Sequence, residues 1–189
     1  MKTRRFLIVV MFLFTSATSL WEAWSSEDQD GFVDWLKNRA AQGDAKAQSS
    51  LGLVYYKGLA VPQDYTEALK WFRLAAAQRD AMAQANLGIM YYDGQGVPQD
   101  YTEALKWFRL AAAQRDATAQ TNLGFIYTNG QSVPQDYVQA HKWFNLAAAN
   151  FTAEPDRDKA VKARDALATR MTPAQIAEAQ KLAREWKKQ

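Results

Sequence analysis

Apolar positions recur along the chain with the spacing of helices that bury one face. After Asp44, apolar residues at 47, 51, 54 and 55 follow the i, i+4, i+7, i+8 pattern of an amphipathic helix, and Gly58 suits its end. A second segment, after Asp64, has a broader apolar stripe that includes Trp71 and Phe72. So wide a stripe predicts a helix packed between neighbours. The pattern therefore indicates a pair of helices.

This pair of helices repeats with a period of 36 residues. Residues 61–81 and 97–117 are identical, and tryptophan recurs at positions 35, 71, 107 and 143. Self-similarity at a fixed period predicts stacked copies of one supersecondary unit. We therefore expect an all-α repeat fold with full copies at 44–79, 80–115 and 116–151, a half repeat at 31–43 and capping helices at 152–189.

Local signals predict where individual helices begin. Asp64 with Glu67, and their equivalents 36 and 72 residues later, have the spacing of a capping box, in which two side chains cap each other's backbone amides. In the C-terminal region we expect one helix over 158–170. A further capping box at Thr172 and Gln175 should open the last helix. Gly52 falls inside a helix, where glycine predicts close approach of a neighbouring helix.

The N-terminus has the pattern of a secretory signal peptide. Basic residues precede an apolar run at 6–14, and small residues follow at 15–19. We expect cleavage after Ser19 and a linker at 20–30, although an uncleaved anchor that holds the protein at a membrane remains an alternative. Export to the periplasm is the leading expectation for the location, with secretion as an alternative.

Charge and cysteine content narrow the classes of function. Residues 1–19 contain three of the 23 basic residues and none of the 20 acidic ones, so the remaining chain is formally neutral. Neutrality gives no indication of nucleic-acid binding, which needs a basic surface. The absence of cysteine excludes disulfides, thiolate metal sites and a cysteine nucleophile.

One repeat, written out, resembles a known family. The pattern Ala83-Gln84-x-x-Leu87-Gly88-x-x-Tyr91-x-x-Gly94-x-Gly96-Val97-x-x-Asp100-x-x-x-Ala104-x-x-Trp107-x-x-x-Ala111-Ala112 is similar to the Sel-one-like repeat, a relative of the tetratricopeptide repeat. The resemblance implies a right-handed α-solenoid of antiparallel helix pairs. It also implies an adaptor that holds a protein or peptide in its concave groove. Four loop positions depart from the family's glycines: Ala60, Arg79, Arg115 and Ser132.

No residue constellation predicts catalysis. His141 is the only histidine, and it occupies a helix position where the other copies have Leu69 and Leu105. The acidic residues at the helix starts are explained as caps, and no phosphate-binding loop or metal-ligand cluster is visible. We therefore expect no enzyme activity, no catalytic or metal-binding residue and no cofactor.

The candidate binding surface consists of first-helix positions that vary between copies. These positions lie opposite the buried face of each helix, on the side that lines the groove in tetratricopeptide-like proteins. Their apolar strip is Leu53, Ile89 and Phe125, and Asn86 and Asn122 are placed to hydrogen-bond a peptide backbone. The full candidate set is Lys46, Ser49, Leu53, Tyr56, Met82, Ala85, Asn86, Ile89, Tyr92, Thr121, Asn122, Phe125 and Thr128.

Three alternatives to a partner-binding groove stay open. The apolar strip could instead pack against the adjacent copy inside the solenoid. The protein could be a cell-envelope hydrolase that uses only carboxylates, or could bind wall glycans through its tryptophans, four of which the repeat already explains as core. It could also be a scaffold that associates with itself.

Overall fold

The structure, a computed structural model, describes residues 25–186, and every regular element in that range is an α-helix. The helices, numbered here in chain order, are α1 Ser26–Ala41, α2 Ala45–Lys57, α3 Tyr65–Ala77, α4 Ala81–Asp93, α5 Tyr101–Ala113, α6 Ala117–Asn129, α7 Tyr137–Asn150, α8 Glu154–Ala168 and α9 Pro173–Trp186. The prediction of an all-α fold is confirmed. The predicted signal peptide at 1–19 lies outside the described residues.

The chain divides into two compact units, with the boundary between Ala83 and Gln84. In the first unit, α2 packs against both α1 and α3. In the second unit, α6 packs against α5 and α7, and α7 also contacts α8 and α9. The second helix α7 thus lies among three neighbouring helices, as the breadth of its apolar stripe predicts.

Each second helix places a phenylalanine deep in the core. Phe72, Phe108 and Phe144 are essentially inaccessible to solvent. Each ring lies against the glycine inside the first helix of its own copy: a Cβ built on Gly88 would lie 2.5 Å from Phe108, and one built on Gly124 would lie 2.5 Å from Phe144. The expectation that these glycines mark close helix approach is confirmed, since no side chain fits between them.

The starts of the second helices differ from the prediction. Asp64 caps α3 by accepting hydrogen bonds from the backbone amides of Thr66 and Glu67. The reciprocal bond of a capping box is absent, because the amide of Asp64 donates instead to the carbonyl of Tyr55. Glu67 is thereby released to pair with Lys70. The same exchange occurs at the starts of α5 and α7, so these caps are one-sided.

The four loop positions that lack the family's glycine keep glycine-like backbone geometry. Ala60, Arg79, Arg115 and Ser132 have φ between 57° and 68°. Gly43, which stands where the later copies have Arg79 and Arg115, has φ of 88°. A left-handed conformation costs a residue with a side chain about 1 kcal/mol or more. These four residues thus take a backbone conformation that glycine would adopt without this cost.

Two of the predicted boundaries shift at the ends of the chain. Helix α1 begins at Ser26, inside the predicted linker, because Ser25 caps it by accepting from the amide of Asp28. Helix α8 begins at Glu154, four residues before the predicted start, with a proline in its first turn. At α9 the capping box is reciprocal as predicted: Thr172 and Gln175 each bond the other's backbone amide.

Within residues 25–186, no helix has both the length and the apolar character required to cross a membrane.

Candidate functional site

The candidate binding surface lies on α2, α4 and α6, and its residues differ widely in exposure. Lys46 and Phe125 are exposed. Most of the others are half-buried: Tyr56, Met82, Asn86, Ile89, Tyr92, Thr121, Asn122 and Thr128. Ser49, Leu53 and Ala85 are buried. The predicted set is corrected for these last three, because side chains covered by neighbouring helices offer no area to a partner.

The apolar strip is therefore not uniform. Leu53 is 7% exposed, Ile89 is half-buried and Phe125 is 42% exposed, although the three occupy equivalent positions. Leu53 fits the alternative that this position packs inside the protein. Phe125 does not fit that alternative, because much of its ring faces solvent. The accessible apolar part of the strip thus lies in the second unit.

The ring of Phe125 is held in place although it is exposed. It meets the buried ring of Phe144 edge-on, with centroids 5.1 Å apart. Ring pairs in this geometry gain about 0.5–1.5 kcal/mol beyond the area they bury. The exposed ring is thus a fixed surface feature of α6, and a partner that covers it would lose little side-chain entropy from this residue.

Tyr92 connects α4 to the loop after α6 in the second unit. Its hydroxyl donates to Oε1 of Gln131 at 2.8 Å, and its ring lies edge-on to Tyr101 at 5.2 Å. Ile89 and Tyr92 both pack against the apolar core of this unit, which includes Ile126. Ile89 and Tyr92 are thereby fixed to the same framework as α6 within the second unit.

Polar candidates on α6 already bond to their own helix. Nδ2 of Asn122 donates to the carbonyl of Thr118 at 2.9 Å, and the hydroxyls of Thr121 and Thr128 donate to carbonyls one turn back. The side chain of Asn122 therefore keeps its Oδ1 acceptor and one amide hydrogen for hydrogen bonds to a peptide backbone. Whether Asn86 and Asn122 bind a peptide in this way stays a prediction.

The surface of α6 is uncharged. No Asp, Glu, Lys or Arg occurs from Ala117 to Asn129, and within α4 the only such residue is Asp93. Apolar contact, aided by hydroxyl and amide groups, is what α6 offers to a ligand.

In the first unit the accessible candidate residues are Lys46, which is exposed and charged, and the half-buried Tyr56 and Met82. The ring of Tyr56 packs on Tyr65 and Phe72.

His141 is placed as a core residue of α7. Its side chain is buried, and Nδ1 has no hydrogen-bond partner among the described residues. Burial lowers the pKa of His141, and the positive charge of Arg164 lowers it further, while Asp165 acts in the opposite direction. The imidazole is thereby kept neutral inside the protein, where a substrate has no access to it.

His141 should make stability depend on pH. Its pKa is lowered on folding from the ordinary value of 6.5, so the unfolded chain binds the proton more readily and stability falls as the pH drops below that value. The substitution His141→Leu restores the residue of the other two copies. When the pH is lowered from about 7.5 to about 5.5, we expect the melting temperature of the His141→Leu variant to fall less than that of the wild type. An equal fall in both proteins would contradict this role.

The acidic residues at the starts of the second helices are engaged in structural contacts. Asp64, Asp100 and Asp136 are engaged as helix caps, and Glu67 and Glu103 pair with lysines one turn on. Between residues 25 and 186, no group of three or more His, Cys, Asp or Glu side chains could hold a metal ion.

A buried glutamine recurs in the first helix of each full repeat, with a role that its sequence pattern did not predict. Gln48, Gln84 and Gln120 are all buried in their first helices. Nε2 of Gln120 donates to the carbonyl of Ala112, and Oε1 accepts from Asn150 at the end of α7. The recurrence of Ala-Gln every 36 residues was the available signal. These amides link successive helices by buried hydrogen bonds, so they are structural.

The family model described as "Sel1 repeat" matches residues 45–80, 81–116 and 117–150, which is more than half of the chain. No curated protein sequence matches. Sel1 repeats typically mediate protein–protein interactions, and their fold is typically a non-catalytic interaction module.

Two solved structures are similar to this chain. One is c5321, described as a protective antigen present in uropathogenic Escherichia coli strains and displaying an SLR fold, with 34% identity and a TM-score of 0.76. The other is a Sel1 repeat protein from Oxalobacter formigenes, with 32% identity and a TM-score of 0.64. The matches cover 89% and 75% of this chain but only 36% and 53% of those proteins. These matches confirm the predicted α-solenoid class.

Proposed function

Because the chain belongs to the Sel1 repeat family, we propose that it is an exported, non-enzymatic module that binds a peptide or protein through the first helices of its repeats. The observation that carries this proposal is the exposed ring of Phe125, fixed by Phe144 on a helix without charges. An ordered apolar group at the surface loses water favourably when a partner covers it.

The partner we propose is a neutral, apolar segment. An uncharged surface neither steers nor repels charged ligands over distance, so its affinity should change little with salt. The half-buried Ile89 and Tyr92 lie on α4 of the same unit, and they add apolar area with a polar tip at the tyrosine hydroxyl. The signal-peptide pattern at residues 1–19 supports the proposal of export, and the periplasm is the compartment we propose.

The substitution Phe125→Glu tests the proposed surface. We expect it to weaken partner binding at least about tenfold, because it removes an aromatic anchor and places an unpaired charge in the contact. The partner is first captured from envelope extract with the full chain and identified, and its dissociation constant is then measured by calorimetry. Adding Ile89→Glu should abolish the remaining binding.

The matched control introduces the same charge elsewhere in the second unit. Thr102 is an exposed residue of α5, so Thr102→Glu should leave the affinity unchanged. Circular dichroism and melting temperature must stay near wild type in every variant. If Phe125→Glu binds as tightly as Thr102→Glu, or if it unfolds the protein, Phe125 belongs to the structure and not to a binding surface.

A further inference from the structure

The second helix of every full repeat carries a tryptophan followed three residues later by a leucine. We call this surface the Trp–Leu face; its residues are Trp71 with Leu74 on α3, Trp107 with Leu110 on α5, and Trp143 with Leu146 on α7. Leu74 is 44% exposed and Leu110 is 50% exposed, whereas Leu146 is 1% exposed. Because the residue types are the same, the difference must come from what covers each face.

Helix α9 covers the Trp–Leu face of α7. The two helices pack together, and the rings of Trp143 and Trp186 meet edge-on with centroids 5.0 Å apart. Ala183 of α9 lies in the same apolar cluster as Trp143 and Leu146. Nζ of Lys142 lies 4.4 Å from the ring centroid of Trp143 and 4.8 Å from that of Trp186. Because Ala183 is small, α9 lies close to α7. Trp186 and Lys142 add an aromatic contact and cation–π contacts.

On α5 the same face is accessible. Leu110 is half-exposed at the edge of an open hollow of about 410 Å³, whose walls are Glu103, Lys106, Trp107, Arg109 and Leu110. An aromatic and a leucine rimmed by charged residues have the composition of a protein interaction surface. The position that α9 fills on α7 is therefore available here.

The open face carries more charged groups than the covered one. Glu103 and Arg109 of α5 replace a glutamine and an asparagine at the equivalent positions of α7. Glu103 pairs with Lys106, whereas Arg109 donates to the neutral hydroxyl of Tyr127. Glu103, Lys106 and Arg109 together leave one net positive charge on α5, the same net charge as at the equivalent positions of α7, and it favours an acidic residue on a docked helix. Glu185 of α9 stands directly before Trp186 and has this character.

We propose that the Trp–Leu face of α5, and its duplicate on α3, each dock an amphipathic helix of a partner protein that resembles α9. The docked helix presents alanines one turn apart, then an aromatic residue, with an acidic residue beside it. This surface uses the second helices, so it is distinct from the first-helix surface of the proposed function and does not rest on it.

A synthetic peptide of residues 172–186, which corresponds to α9 and its cap, is the probe for this proposal. A labelled peptide is titrated with the full chain while fluorescence anisotropy is followed. We expect binding with a dissociation constant on the order of 100 µM, because an isolated helix of this length is marginal in water and must order on binding. The same peptide with Trp186→Ala should bind at least about tenfold more weakly.

Variants of the full chain locate the site. Leu74→Glu with Leu110→Glu should reduce peptide binding at least about tenfold, since both leucines are exposed and the charge opposes an apolar contact. The matched control is Thr66→Glu with Thr102→Glu, at exposed positions of the same two helices, which should bind the peptide like wild type. Phe125→Glu should also leave peptide binding unchanged, and this separates the two surfaces.

Three outcomes would overturn the proposal. The first is no binding of the peptide up to about 1 mM, ten times the expected dissociation constant. The second is peptide binding that the leucine variants do not weaken while circular dichroism shows them folded. The third is a dimer of the full chain that the leucine variants dissociate, because a second copy and not a partner helix would then cover the face.

Discussion

Replacing Phe108 by alanine is expected to lower the free energy of unfolding by about 4 kcal/mol. The ring is fully buried in the second unit and lies against Gly88, so its removal leaves a cavity between α4 and α5. The loss combines the transfer energy of the ring with the energy of that cavity. Urea denaturation followed by circular dichroism measures the change, provided that the slope of the transition is the same in both proteins.

Leu110→Ala is the matched control for this prediction. It also shortens an apolar side chain on α5, but Leu110 is half-exposed and little packing is lost. We expect a cost of less than about 1 kcal/mol. If the two variants are equally stable, then Phe108 is not the packing centre that its burial indicates.

The second large effect is expected from Gly124→Ala. The added Cβ would lie 2.5 Å from Cε1 of Phe144, so the ring or the helix must move. Overpacking of a core costs about 1–3 kcal/mol, whereas alanine gains about 1 kcal/mol over glycine in a helix. Since Phe144 is buried and also contacts Phe125, the clash should win, and the variant should be less stable by up to about 2 kcal/mol.

Gly31→Ala separates packing from helix propensity. Gly31 lies within α1 and is exposed, and nothing lies within 4 Å of a Cβ built there. We expect this variant to gain up to about 1 kcal/mol from propensity alone. Combining Gly124→Ala with Phe144→Leu should recover part of the loss, because the smaller side chain relieves the clash. If Gly124→Ala is stabilising like Gly31→Ala, the close approach of α6 and α7 is not rigid.

Helix positions could be predicted from the sequence because their signals are local. Asp64 caps the helix that follows it, and Gly58 ends the helix before it, through bonds to residues a few positions away. The capping box failed for a tertiary reason. The amide of Asp64 is taken by Tyr55, a residue of the preceding helix that only folding brings near.

The candidate site could be predicted only in outline. The helical period places Leu53, Ile89 and Phe125 at one position of the repeat, and it gives no reason for them to differ. Their exposure falls from 42% at Phe125 to 7% at Leu53, because exposure depends on the neighbours that cover each copy. Burial of Ser49 and Ala85 arises in the same way.

The sequence by itself determined the repeat, its period, the all-α class and most helix boundaries, since these follow from apolar spacing and short-range capping. Only the tertiary structure decided which copies of a shared surface are covered. Leu110 and Leu146 have the same place in the repeat, yet α9 lies over one and not the other. Solvent exposure is a property of long-range packing, so near-identical repeats can present different surfaces.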